Sequence, residues 1–76
     1  MGNAKQELGR RIRQAREERG LSQSQVAREL GVLPSTVNHW EAGRSRPDDP
    51  WLVAQLAGLL HVSMEYLLGT AEPCGA

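Results

Sequence analysis

Seventy-six residues suffice for one small domain, whose modest core leaves little stability in reserve. Nine basic and nine acidic side chains cancel to a formal net charge of zero, which taken alone argues against a polyanionic partner. One cysteine, Cys74, excludes an internal disulfide and a cysteine-based metal site, and no apolar run nears the roughly 20 residues of a membrane span or forms a signal-peptide core.

With neither staple, the fold must rest on a compact helical core or on a partner. The expectation is a soluble, cytoplasmic, all-α domain over residues 1–69, with residues 70–76 a disordered tail and no metal or cofactor. Met1 to Ala4 read as a frayed start. A first helix is predicted over about residues 5–19, because Leu8, Ile12 and Ala15 keep one helical stripe and Gly20 supplies a stop. Leu21 follows and is expected to dock into the core. Ser22 opens a second helix, and Gln25 three residues on completes a Ser-x-x-Gln capping box. Val26, Ala27 and Leu30 form its buried face, and Gly31 ends it.

The connection Gly31-Val32-Leu33 is short enough to make two helices cross rather than lie side by side. Pro34 suits the first turn of a third helix, where a missing N–H costs nothing. Val37 and Trp40 point inward, with Trp40 read as core rather than as a stacking platform, and Gly43 stops the helix. Arg44 to Asp48 form a loop. Asp49 caps a fourth helix with Pro50 at its first position, and Val53, Leu56, Ala57 and Leu60 make its apolar stripe. Ser63 caps a short fifth helix in which Leu67 and Leu68 are expected to be buried. No strand pattern, repeat or low-complexity segment is present.

The zero net charge hides an uneven distribution. All nine basic residues lie in 1–46 beside five acidic ones, for +4, and the remaining four acidic residues give 47–76 a charge of −4. A local field of that kind steers a charged ligand more than the sum does. Within the basic part, residues 22–43 encode two short helices around one glycine, with small polar side chains where the second can meet a base edge. That is the sequence form of a DNA-reading helix-turn-helix.

The chain resembles the lambda-type phage repressor and Cro-like helix-turn-helix domains. The resemblance runs from about Leu8 to Leu68. It rests on Arg16 with Gly20-Leu21-Ser22-Gln23, Val26-Ala27 and Gly31-Val32. It continues through Ser35-Thr36-Val37, Trp40-Glu41-x-Gly43 and Pro47, and closes with Leu56-Ala57, Val62-Ser63 and Tyr66-Leu67-Leu68. The resemblance implies five helices, with helix 3 in the major groove.

It also implies roles. Ser22 and Gln23 stand at a helix start that faces phosphate, a setting its free N–H groups and positive dipole end favour, and Gln23 also braces helix 3. Pro34, Ser35 and His39 match base-reading positions, with Thr36 and Asn38 nearby. Pro34 offers a ring to a thymine methyl, Ser35 a hydroxyl to several base edges, and His39 a donor to guanine. Asn38 reads adenine if it faces the groove, or reaches phosphate if it lies at the flank. Arg44 and Arg46 are phosphate clamps, with Arg10 and Arg13 as secondary candidates. Arg16 and Glu41 are expected to form an internal ion pair.

Three departures from the family pattern stand out. Leu33 replaces the usual serine or threonine cap, so helix 3 starts differently or Leu33 packs on the core. The stretch from Pro47 to Ala57 is about one residue longer than typical. Asp48 and Asp49 within it repel phosphate.

The function implied is sequence-specific binding of double-stranded DNA by a transcriptional regulator, a repressor in most relatives. One such helix reads few base pairs, so a homodimer is expected at least on DNA. Its surface is sought at Met64, Tyr66 and Leu68, or at Trp51. The alternative is a protein-interaction module, an antitoxin partner or adaptor, on the same fold. An enzyme is not expected, since His39 and His61 lack a partner set and the serines are scattered.

Overall fold

The computed structural model describes residues 4–47 and 49–68. Five helices follow in chain order: α1 (Ala4–Glu18), α2 (Gln23–Leu30), α3 (Pro34–Glu41), α4 (Pro50–Leu60) and α5 (Met64–Leu68). No strand occurs among the described residues. The all-α, five-helix expectation therefore holds, and Ala4 already belongs to α1 rather than to a frayed end. The expected tail at residues 70–76 lies outside the described residues.

Local signals place each boundary. Gly20 turns the chain after α1 with φ 71°. Ser22 accepts from the Gln25 N–H at 3.0 Å while the Gln25 side chain accepts from the Ser22 N–H at 2.7 Å, so the capping box is complete. Gly31 closes α2 in the left-handed region at φ 74°, where a Cβ would be strained. Asp49 caps α4 by accepting from the Trp51 N–H, with Pro50 in the first turn. The Ser63 hydroxyl accepts from the Tyr66 N–H at 3.0 Å and so starts α5.

The core joins one face from every helix. Leu8, Ile12 and Ala15 of α1, Val26 and Ala27 of α2, and Val37 and Trp40 of α3 meet Leu56, Ala57 and Leu60 of α4 and Leu67 of α5. Leu21 and Leu30 are half-buried and pack against this cluster. Trp40 is core, as expected. Two positions differ from expectation or settle it. Leu68 is 52% exposed, because a helix of one and a half turns can turn only one of two adjacent leucines inward, and Leu67 takes that place. Leu33 is 68% exposed and so does not pack on the core.

Gly9 sets the spacing of α1 and α3. A Cβ there would stand 2.1 Å from the Trp40 carbonyl oxygen and 2.9 Å from that of Glu41. The two helices thus meet backbone to backbone, and the close approach fixes where α3 lies.

Candidate nucleic-acid interface

Helix α3 has a buried side and an open one. Val37 and Trp40 point into the core. At 100° per residue, Ser35 and Ala42 lie opposite them, with Asn38 and His39 beside that line. Pro34, Ser35, Asn38 and His39 are all exposed, and Thr36 is half-buried at the edge. The structure thus leaves Pro34, Ser35, Asn38 and His39 open along α3 and sets Thr36 at the edge of the buried side, least available of the five.

A polar network holds that face in place. The Arg16 Nε donates to Glu41 Oε2 at 2.6 Å, and Nη2 donates to Glu41 Oε1 at 3.1 Å. Arg16 Nη1 also donates to the Leu21 carbonyl at 2.8 Å. The pair is two-pronged and partly buried, and Glu41 raises the Arg16 pKa above its usual value, chiefly through the hydrogen bond. Gln23 Nε2 adds a bond to Glu41 Oε1 at 3.0 Å. The Asn38 amide donates to Gln23 Oε1 at 3.4 Å. Helix α1, the start of α2 and the body of α3 are thereby joined through one carboxylate. The expected ion pair and the brace from Gln23 are both present.

Asn38 sits on the flank, since its amide faces Gln23 across the gap between α2 and α3. A polar depression there is lined by Arg13, Arg16, Gln23, Asn38, Glu41 and Ala42. Arg13 reaches this depression while ion-paired with Glu17 at 3.1 Å. Arg10, the other helix α1 candidate, is absent from its lining and is paired with Glu7. The sequence could not separate these arginines, because both occupy exposed faces of α1. At the start of α2, Ser22 satisfies the third N–H of the helix. The earlier N–H groups and the dipole end remain suited to an anion.

The loop after α3 is tied back to α3 itself. The His39 carbonyl accepts from the Arg44 N–H at 3.0 Å and from the Ser45 N–H at 3.4 Å. Arg44 is exposed directly beyond α3. Arg46 is exposed too, but it lines a groove with Leu8, Pro47, Pro50, Val53, Met64 and Leu68. Of the two loop arginines, Arg46 thus borders that groove. Of the expected repelling pair, Asp49 is spent as the α4 cap, and Asp48 lies outside the described residues.

A helix-turn-helix domain family model matches residues 7–67. The chain belongs to that family. Within it, the chain is of the lambda-repressor, Cro-like type. It is 34% identical over 65 residues to the HTH-type transcriptional regulator ImmR of Bacillus subtilis (strain 168), covering 86% of this chain and 50% of ImmR. The solved P22 c2 repressor in complex with a synthetic operator is similar with a TM-score of 0.77 and 27% identity, over 83% of this chain and 94% of that one. SinR, a master regulator for biofilm formation solved in complex with DNA, gives 0.73 and 31% identity, over 80% and 97%. The chain spans half or less of the curated relatives it matches. No helix among the described residues is long and apolar enough to cross a membrane.

Proposed function

We propose that this domain binds double-stranded DNA sequence-specifically, as the reading part of a transcriptional repressor, with α3 in the major groove. The observation that carries the reading is the exposed Pro34-Ser35-His39 side of α3, held rigid by the Arg16–Glu41–Gln23 network. A rigid helix with short polar side chains positions groups against base edges at little ordering cost. Domains of closely similar fold have been solved on DNA, which supports the same use here.

The roles divide by chemistry. Ser35 and His39 offer hydrogen bonds to bases, and Pro34 offers a ring to a thymine methyl. Thr36 lies at the edge of that row. Ser22, Gln23 and Asn38 meet the phosphates at one flank. Arg44 meets them at the end of α3, and Arg46 and Arg10 contribute from farther out. A second copy on a neighbouring half-site supplies the rest of the affinity. The protein acts where the DNA is, in the cytoplasm, with no catalytic step and no cofactor.

Two variants test the division. His39→Ala is expected to relax base preference at one position of the site. Arg44→Ala is expected to weaken every duplex alike and to lower the slope of log affinity against log salt by about one. Uniform loss in both, with base preference unchanged, contradicts a reading role for His39. No duplex binding at low salt contradicts the DNA reading and favours the interaction-module alternative.

A further inference from the structure

Leu33 has no structural work that explains a leucine. It is the N-cap of α3, with extended backbone at φ −81° and ψ 147°, and its side chain makes no capping hydrogen bond. A serine, threonine, asparagine or aspartate there would stabilise the helix. The side chain is not recruited to the core either, being 68% exposed. Its carbonyl does the backbone's part, accepting from the Thr36 N–H at 2.9 Å and from the Val37 N–H at 3.4 Å, and any residue would supply that carbonyl. The position therefore gives up a cap and sets a large apolar group in water. Such a local cost is expected where a side chain meets a ligand.

Its place names the ligand. Leu33 directly precedes Pro34 and Ser35, at the end of α3 from which such a helix enters the groove. Leu33 and Pro34 form an apolar pair beside the one hydroxyl of Ser35. The apolar feature that duplex DNA displays in its major groove is the thymine 5-methyl group. A hydrogen-bonding base edge or a charged phosphate would gain nothing from leucine.

We propose that Leu33 is a specificity-determining residue whose side chain packs on a thymine methyl in the major groove, next to the base read by Ser35. The inference rests on the DNA-binding reading above and adds a residue and a base to it. The contact selects thymine over cytosine and also over uracil, which differs from thymine by that methyl alone.

The test uses the full chain and its preferred duplex, found by selection from randomised duplexes. Thymines are replaced one at a time by deoxyuridine, which removes the methyl and keeps every hydrogen-bonding group. One replacement, at the position under the start of α3, is expected to weaken binding roughly fourfold, the worth of one buried methyl group. Leu33→Ala is expected to bind the thymine and uracil duplexes alike at that position. Leu33→Ser is expected to do the same while melting at a higher temperature, because it restores the cap, so loss of folding cannot account for the change. Full retention of the thymine-over-uracil difference in Leu33→Ala overturns the proposal, as does a bound duplex in which no deoxyuridine replacement matters. Failure to select any duplex at low salt instead counts against DNA binding itself.

Discussion

Glu41 is the residue on which the reading face most depends. Its side chain is only 5% exposed, and it accepts from Arg16 twice and from Gln23 once. The raised Arg16 pKa means that the bond favours the charged guanidinium. On the guanidinium side that contribution is fully present below the ordinary arginine range and is lost only as pH rises through it. Removing one partner strands the other. Glu41→Ala or Arg16→Ala is expected to cost about 3 kcal/mol by denaturant melting, whereas the double change Arg16→Met with Glu41→Leu is expected to cost clearly less than either alone. A double change as costly as the two singles added would show that the side chains do not act as a pair. Resemblance to the family made this pair legible in the sequence. The Asn38-to-Gln23 bond was not, because helical spacing places Asn38 near the open face without saying which way its amide turns.

At the scale of the helices, most of the fold could be read from local chemistry. The capping box at Ser22, the left-handed Gly31, the Asp49-Pro50 start and the Ser63 cap are short-range signals, and each appears where the sequence puts it. Leu68 was misjudged, because an i, i+1 pair of leucines carries no information about which one faces inward. The role of Gly9 leaves no local signal in the sequence. Inside an amphipathic helix a glycine looks like a small weakness, and its reason lies in α3, far along the chain. Gly9→Ala is expected to destabilise the domain by about 3 kcal/mol, since its methyl would meet backbone oxygens that no rotamer change can move. Circular dichroism melting would show it, and a gain in stability would mean that α1 and α3 do not approach so closely.

For the whole molecule, the DNA-binding proposal requires that a domain of this size gain affinity from a second copy. The described surface carries two exposed large apolar groups away from α3, Trp51 at 78% and Leu68 at 52%. Leu68 borders the groove that holds Met64, Pro47 and Pro50, so the face sought for a second copy is apolar at its rim and concave at its centre. Tyr66 is half-buried on α5, with the Arg11 guanidinium 5.9 Å from its ring centre, and so serves to dock α5 on α1 more than to meet a partner. Leu68→Glu is expected to weaken binding to a duplex with two half-sites and to leave binding to a single half-site unchanged. Equal loss on both would place Leu68 outside any contact between copies. The central claim is that α3 reads a sequence in duplex DNA, and selection from randomised duplexes by the purified chain tests it most directly. The account predicts enrichment of one short motif repeated with two-fold symmetry, its halves about one helical turn apart. Retention of duplexes without sequence enrichment, or no retention even at low salt, would contradict it.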